Sequence, residues 1–320
     1  MIVTLTPSPS IDATLRLDSS LKVGSVNRAI DVTRVAGGKG VNVSHAIHAA
    51  GSETVAIFPA ADTDPFIQLA RQSDFPFVNV PMGAAVRTNT TLTDPDGFTT
   101  KANGPGPVLS AEDQQAIIDQ LSQASRTADY VVLAGSLPGG VDEAWYATLI
   151  QVVHAANPRA KVALDTSDKN LKALYRTLDR AMPDLIKPNG MELGQLVGED
   201  GDYLEELARY GDYREVARAA RNVNAWGISE VLVTLGAAGA ILVTHTGAWV
   251  AKPPEIEIRS TVGAGDSALA GFILAREQGK DYLESLRTAV AYGTAAAGLP
   301  GTSVPRPEHI DLEGTKVTEL

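Results

Sequence analysis

Cysteine is absent from all 320 residues, which excludes disulfides, thiolate nucleophiles and cysteine-based zinc or iron–sulfur sites. A membrane-length apolar run is absent too, because the longest such stretch, residues 231–243, is short and contains glycine. The amino terminus has no basic region before its first apolar run, so we expect no signal peptide. These absences predict a soluble, cytoplasmic protein with no membrane partner.

Positive charge is scarce. The chain has 27 Lys and Arg against 38 Asp and Glu, and a formal net charge of −11. This balance argues against nucleic acid as a main partner. It still allows an anionic small molecule, because a few placed Lys and Arg side chains make a local positive pocket.

Apolar strands alternate with amphipathic helices along most of the chain. This alternation predicts an α/β fold with a doubly wound, mostly parallel central sheet flanked by helices. The predicted strands are Ile2–Leu5, residues 54–58, Tyr130–Ala134, and residues 162–164, 184–186 and 231–234. The predicted helices are residues 41–50, 111–122, 143–154 and 214–226.

Four other runs alternate apolar and polar residues with a period of two, which indicates strands with one solvated face. They are residues 12–17, 28–35, 88–93 and 98–101. We predict that they form one small antiparallel sheet, a lid inserted early in the chain. The lid would comprise residues 12–36 and 83–104, and the α/β core residues 1–11, 37–82 and 105–320.

An acidic segment, residues 198–215, holds seven acidic residues and two arginines. Such a charge run is typical of a solvated helix and loop, and we predict that structure here.

The most informative segment is residues 260–272, STVGAGDSALAGF. Gly263, Ala264 and Gly265 would let backbone N–H groups approach an anion, and the next helix would point its positive end there. Asp266 is then either a helix N-cap or the base of a phosphoryl transfer. A cap alone needs neither the glycines before it nor the small residues after it. We expect the helix terminus to keep Asp266 ionised and weakly basic, which suits a loose transition state.

A second glycine-rich segment, residues 35–42, opens a predicted helix and reads VAGGKGVN. Gly38, Lys39 and Asn42 lie in it. A strand-to-helix turn alone needs one or two glycines and no lysine, and the spacing is not that of a Walker A loop. The segment therefore favours a second ligand-binding loop.

Two more segments follow predicted parallel strands, whose carboxyl ends are where ligands bind in such sheets. In residues 187–192, KPNGME, Asn189 and Glu192 either hold Mg²⁺ through water or cap the next helix. Residues 234–239, TLGAAG, form either a tight turn at a ligand or only a hairpin. Isolated polar residues also stand at or near strand ends: Asp12, Arg87, Ser136 and Asp165.

Together and in this order, these segments resemble the ribokinase-like, or phosphofructokinase B, family of carbohydrate kinases over almost the whole chain. TLTPSPSID, GGKGVN, GSLP and STVGAGDS are most similar to its sugar-phosphate branch. The resemblance implies ATP- and Mg²⁺-dependent phosphorylation of fructose 1-phosphate, with tagatose 6-phosphate or fructose 6-phosphate as the alternatives. It also implies a homodimer formed through the lid.

The resemblance implies a role for each site residue. Asp266 would be the base, with Gly263, Ala264 and Gly265 as its anion hole. The sugar would contact Asp12, Gly38 and Asn42, and its phosphate Lys39, Arg87 and Ser136. The ATP·Mg²⁺ side would be lined by Lys187, Asn189, Glu192, Thr234, Gly236 and Gly239. We expect a free sugar to leave both Lys39 and Arg87 unpaired, so a phosphorylated sugar should be preferred.

Two other classes of function stay open. A non-catalytic sugar-phosphate sensor would need neither Asp266 nor the intact glycine loop, so their presence disfavours it. A nicotinamide dehydrogenase would need G-x-G-x-x-G after the first strand, where this chain reads Thr-Pro-Ser-Pro-Ser.

Overall fold

The structure is a computed structural model that describes all 320 residues. It contains fourteen strands, ten α-helices and two short 3₁₀ turns, joined by loops. The strands are β1 (Ile2–Leu5), β2 (Ser10–Leu17), β3 (Ala29–Gly37), β4 (Thr54–Ala60), β5 (Phe77–Pro81), β6 (Arg87–Thr93), β7 (Thr99–Asn103), β8 (Tyr130–Ala134), β9 (Lys161–Asp165), β10 (Leu185–Ile186), β11 (Glu230–Thr234), β12 (Ala240–Thr244), β13 (Gly247–Lys252) and β14 (Lys316–Glu319). The helices are α1 (Lys39–Ala49), α2 (Pro65–Gln72), α3 (Ala111–Ser125), α4 (Trp145–Ala156), α5 (Asp168–Tyr175), α6 (Gly190–Val197), α7 (Gly201–Arg209), α8 (Arg214–Asn224), α9 (Ala264–Glu277) and α10 (Tyr282–Ala297).

The central sheet has ten strands in the order β14-β13-β12-β11-β10-β9-β8-β1-β4-β5. Every pair from β5 to β11 is parallel, and the three pairs from β11 to β14 are antiparallel. The predicted doubly wound, mostly parallel sheet is confirmed. The hairpin alternative for residues 234–239 includes the antiparallel pair β11–β12, whereas the further antiparallel strands β13 and β14 were not predicted.

Helices cover both faces of this sheet, since successive strand residues point to opposite sides. In β8, Val131 and Leu133 belong to the core that includes residues of α3, α4 and α8. Val132 belongs to the other core, which includes residues of α1, α9 and α10. The helices therefore form one layer on each face of the central sheet.

The small sheet is separate from the central sheet and has the order β3-β2-β6-β7. The prediction that the two pieces of sequence share one such sheet is confirmed. The prediction that it is antiparallel is wrong at its centre, where β2 and β6 pair in parallel with Ser10 opposite Arg87. A parallel pair needs a long connection, and here the chain returns to the central sheet through α1, β4, α2 and β5 before β6 begins.

The acidic segment forms α7 and the loop before α8, with exposed polar residues, as predicted for a solvated helix and loop. Arg218 of α8 pairs with Glu199 at 2.7 Å and with Glu215 at 2.8 Å. The other element bounds differ from prediction by a few residues; for example, α1 begins at Lys39, two residues early.

None of the helices combines the length and the apolar character that a membrane crossing requires. The carboxyl ends of β1, β8, β9, β10 and β11 lie at one edge of the central sheet. The amino termini of α1 and α9 meet at this edge, where Asn42 contacts Asp266.

Candidate active site

Asp266 is the third residue of α9 and is 8% exposed. The helix begins after Gly263, whose φ of 78° lies in the left-handed region that favours glycine. No side chain caps this helix, so the interpretation of Asp266 as an N-cap is wrong. Its Oδ2 instead accepts a hydrogen bond from Asn42 Nδ2 at 2.7 Å, which fixes the carboxylate at the meeting point of α1 and α9.

Burial raises the pKa of Asp266, and the negative charge of Asp165 raises it further, against the opposing effects of Lys39 and Asn42. The expectation that the helix terminus keeps this carboxyl a weak base is therefore wrong in direction. Removal from water penalises the carboxylate form, and the negative charge of Asp165 adds to that penalty. The carboxylate is consequently a stronger base than an exposed aspartate.

Asp165 ends β9 with a side chain that is 0% exposed and bridges two lysines. Its Oδ1 is 2.7 Å from Lys39 Nζ, and its Oδ2 is 3.1 Å from Lys187 Nζ. Burial acts to raise the pKa of Asp165, but the charges of Lys187 and Lys39 outweigh it and lower that pKa. Burial likewise opposes the charge on Lys39, yet the surrounding carboxylates raise its pKa. The pKa shifts of Asp165 and Lys39 both favour their ionised forms, and the two side chains form, together with Lys187, an ion-paired group behind Asp266.

The loop before α1 lies against the end of β1. A Cβ on Gly38, whose φ is 123°, would be 2.7 Å from Thr6 Cγ2, so a larger residue would push the loop away. Thr6 Oγ1 in turn accepts a hydrogen bond from Val41 N at 2.9 Å. This close approach brings Lys39 and Asn42 to Asp165 and Asp266.

The small sheet contributes a second polar group. Asp12 Oδ1 accepts hydrogen bonds from Ser10 Oγ at 2.8 Å and Asn89 Nδ2 at 3.1 Å. Its carboxylate lies over Gly37, where any side chain would collide with it. Burial raises the pKa of Asp12, while the hydrogen bonds and the charges of Arg87 and Lys101 oppose that rise.

Arg87 begins β6 and lies near the same site. One guanidinium nitrogen donates to Ser8 O at 3.3 Å, while Arg87 Nε and Ser8 Oγ are buried without any hydrogen-bond partner. Burial lowers the pKa of Arg87, opposed by Asp12. Buried donors without partners are costly, so this corner is suited to an anionic ligand. Ser136, half-buried, follows β8 at the same edge of the central sheet.

A cavity of about 530 Å³ opens on the other side of the α9 amino terminus. Its volume is in the range of small-molecule and cofactor sites. Thr234, Gly236, Gly239, Ala264 and Gly265 line it, together with apolar residues of the segment after β13 and of α10. The TLGAAG segment is the hairpin turn between β11 and β12 and also forms part of the wall of this cavity. The hairpin is therefore confirmed, and the role at a ligand stays a prediction.

Asn189 and Glu192 form a capping box at the start of α6. Asn189 Oδ1 accepts from Glu192 N at 2.7 Å, and Glu192 Oε2 accepts from Asn189 N at 2.9 Å. The capping interpretation is therefore confirmed. The same segment is joined to the hairpin turn, since Thr234 N donates to Pro188 O at 3.0 Å. Lys187 lies closer to the anion hole, because a Cβ on Gly265 would be 3.3 Å from Lys187 Nζ.

Sequence reasoning missed or undervalued three side chains of this site. In the sequence, Asp165 is one of several polar residues at strand ends. An acidic residue at the end of a buried strand nevertheless indicates a candidate site residue. Asn89 lies two residues from Arg87 and so on the same face of β6, which could have paired it with Asp12. Ser8 had no distinguishing signal.

Comparisons with known proteins agree with this geometry. A family profile described as pfkB family carbohydrate kinase matches residues 7–309. The chain is 34% identical to a 1-phosphofructokinase of Rhodobacter capsulatus, over 99% of this chain and 96% of the relative. It is 31% identical to a 1-phosphofructokinase of Bacillus subtilis, over 93% of this chain and 92% of the relative. Phosphofructokinase-2 of Escherichia coli in complex with fructose-6-phosphate has a similar fold, with a TM-score of 0.81 and 27% identity over 92% of this chain and 93% of that one.

Proposed function

Because the chain belongs to the pfkB family of carbohydrate kinases, we propose that it transfers the γ-phosphoryl group of ATP to fructose 1-phosphate and makes fructose 1,6-bisphosphate. One observation carries the proposal. Asp266 is buried and accepts a hydrogen bond from Asn42. It lies between the corner that contains Arg87 and Ser8, whose Nε and Oγ atoms have no hydrogen-bond partners, and the cavity of about 530 Å³. The curated relatives named 1-phosphofructokinase support fructose 1-phosphate as the acceptor.

The acceptor sugar would lie between the small sheet and the edge of the central sheet. Asp12, Gly38 and Asn42 would contact its hydroxyls. Its existing phosphate would satisfy Arg87 Nε and Ser8 Oγ, both buried without partners, and Ser136 would contact the same phosphate. A guanidinium can grip a phosphate with two parallel hydrogen bonds.

The expected role of Lys39 needs revision. Without a phosphate, Lys39 is paired with Asp165 at 2.7 Å, so a free sugar would not leave both cations unpaired. Arg87 would be the cation that discriminates phosphorylated from free sugars, because its Nε has no partner. Lys39 would lie beside the reacting groups and share its charge between Asp165 and a phosphate.

ATP would occupy the cavity lined by Thr234, Gly236 and Gly239, with its phosphates toward Ala264 and Gly265. Lys187 would neutralise phosphate charge from behind this loop. Mg²⁺ prefers oxygen ligands and keeps several waters. Asn189 and Glu192 are oxygen donors fixed by the capping box, and no group of three or more His, Asp or Glu side chains could hold a metal by itself. These residues therefore fit a magnesium ion held mostly by phosphate oxygens and water, which would neutralise charge on the phosphates.

In the transfer, Asp266 would accept the proton of the sugar hydroxyl while the backbone N–H groups at the start of α9 stabilise charge on the phosphoryl group. Residues 12–36 and 83–104 would close over the sugar and exclude water, which competes for the phosphoryl group. These domain bounds stay a prediction, and the strands of the small sheet begin at Ser10 and reach Gly37, slightly beyond them.

The small sheet would also form a homodimer. Several large apolar side chains of this region face solvent: Val23 at 95%, Val26 at 83%, Ile30 at 63% and Phe98 at 75% exposure. Exposed large apolar side chains concentrated in one small sheet and its loops are typical of an interaction surface. Light scattering of the wild-type protein and of Ile30→Glu would test this, with a monomeric wild type as the contrary result. A cytoplasmic location is likewise proposed.

The activity is tested with ATP, Mg²⁺ and a panel of fructose 1-phosphate, tagatose 6-phosphate, fructose 6-phosphate, fructose and ribose. We expect ADP release to be fastest with fructose 1-phosphate, and phosphorus NMR to locate the new ester at the 6-hydroxyl. Equal kcat/KM for fructose or ribose would contradict the phosphate pocket. No turnover with any sugar would favour the non-catalytic sensor.

Fructose 6-phosphate is the second candidate, because the E. coli phosphofructokinase-2 of similar fold was solved in complex with it. The same panel separates the two substrates, since their kcat/KM values are measured side by side.

A further inference from the structure

The acidic segment, residues 198–215, lies behind the wall of the nucleotide cavity. It contains α7, which packs against the 3₁₀ turn Gly236–Ala238. Near its end, Tyr213 is 5% exposed although it sits among strongly charged residues. A buried tyrosine hydroxyl requires a partner, and here the partner is in the cavity wall.

Tyr213 OH donates a hydrogen bond to Ala238 O at 2.8 Å. Ala238 lies in the turn whose Gly236 and Gly239 line the cavity. Both glycines have positive φ, 56° and 92°, so the turn adopts a conformation that few sequences hold by themselves. The bond from Tyr213 ties the turn from the side opposite the cavity.

The ring of Tyr213 contacts a second part of the same wall. Lys252 Nζ lies 5.0 Å from the ring centroid, within the range of a cation–π interaction. Lys252 ends β13 and directly precedes Pro253 and Pro254, which also line the cavity. Tyr213 therefore joins both sides of the cavity wall. Burial raises its pKa, so the hydroxyl keeps its proton at neutral pH.

We propose that Tyr213 is a positioning residue for the nucleotide, holding the Gly236–Ala238 turn and the end of β13 at the spacing that the nucleotide requires. This inference rests on the proposed function, in which the cavity takes ATP. It gives the acidic segment a role: the segment carries the side chain that sets the shape of the nucleotide site without touching the nucleotide.

The test is Tyr213→Phe, which removes the hydroxyl and keeps the ring, with Tyr210→Phe as the matched control because Tyr210 is 83% exposed. Calorimetry with ADP should give a Kd about fivefold higher for Tyr213→Phe, the expected effect of one neutral hydrogen bond. KM for ATP should rise by a similar factor, and KM for fructose 1-phosphate should not change. Tyr210→Phe should match the wild type throughout.

A second variant, Lys252→Met, keeps the hydroxyl and removes the cation from the ring; we expect about a twofold rise in the same Kd. A purely structural role for Tyr213 predicts a lower melting temperature with unchanged ADP affinity, and this result would overturn the inference. An equal rise in KM for both substrates would overturn it as well. If the wild-type protein binds no ADP, the proposed nucleotide site fails along with the inference. If the wild type binds ADP and Tyr213→Phe and Lys252→Met bind it equally well, the inference alone fails.

Discussion

The two sheets hold their active-site residues by different means. Four of the five residues of β9 are buried, including Asp165, which ends it. In the small sheet, all five residues of β7 and the first six of β3 are exposed. Residues at the edge of the central sheet are thus fixed by a packed core, whereas Asp12 and Arg87 are fixed by one small sheet with little core of its own.

This difference separates the two halves of the proposed reaction. In the proposed reaction, the groups that act on the phosphoryl group belong to the packed central part, whereas Asp12 and Arg87, which would hold the sugar and its phosphate, belong to the small sheet. Substitutions of Asp266 and its neighbours should therefore change kcat, and substitutions in the small sheet should change the affinity for the sugar.

The largest expected effect is on turnover. Asp266→Asn should lower kcat by roughly 10²–10⁴, the usual contribution of a general base. Both KM values should change little, because the amide has the same size and can still contact Asn42. Steady-state kinetics measures this, with Asp202→Asn, an exposed acid in α7, as the control. Near wild-type turnover would remove the catalytic role.

Next in size is the loss of the phosphate contact. Arg87→Ala should raise KM for fructose 1-phosphate by about 10², because charge-assisted bidentate contacts are lost. KM for ATP should stay within about twofold, and the preference for fructose 1-phosphate over fructose should narrow. Arg126→Ala, an exposed arginine after α3, is the control. An equal rise in KM for ATP would contradict the assignment of Arg87 to the sugar phosphate alone.

Asp165→Asn probes the charged group behind the base. The wild-type carboxylate raises the pKa of Asp266, and activity requires ionised Asp266, so activity falls as pH falls through that pKa. Removing the charge of Asp165 should lower the pKa of Asp266 and shift the acid limb of the kcat profile to lower pH. It should also reduce kcat by about tenfold, because Lys39 and Lys187 lose their common partner.

The same substitution should change the pH dependence of stability. The folded-state pKa of Asp165 is lowered, so its contribution is present above the unfolded pKa and lost as pH falls through the folded one. Denaturant unfolding should therefore show less acid destabilisation in Asp165→Asn than in the wild type. If the pH profile of kcat is the same in Asp165→Asn and in the wild type, Asp165 acts on the two lysines and not on the pKa of Asp266.

The smallest effect concerns the capping box of α6. Asn189→Ala should cost about 1 kcal/mol of unfolding free energy and raise the Mg²⁺ concentration for half-maximal activity several-fold. Ser110→Ala is a matched control, because Ser110 caps α3 with the same kind of box far from the cavity. It should lose similar stability with unchanged Mg²⁺ dependence. If both variants behave alike, Asn189 is only a cap.

The sequence by itself determined most of the strands and the position of the two glycine-rich loops before α1 and α9. Period-two alternation and buried apolar runs identify strands locally, and Gly263 and Gly38 occur where the backbone requires glycine, so both signals are readable without the fold. The doubly wound sheet and the separate small sheet followed from these patterns. The pairing of β13 with β14 and the parallel pairing of β2 with β6 did not, because each joins residues far apart in the chain.

Only the tertiary structure decided how the charges are paired. Lys39 and Asp165 are 126 positions apart, and Asn42 and Asp266 are 224 apart, so no local pattern relates them. The direction of the Asp266 pKa shift depends on burial and on the charge of Asp165, and the fold supplies both. The hydrogen bond from Tyr213 to Ala238 is likewise tertiary, because it joins the acidic segment to the turn between β11 and β12. Residue types follow from sequence, whereas electrostatics depends on distance and on the exclusion of water, and folding alone sets both.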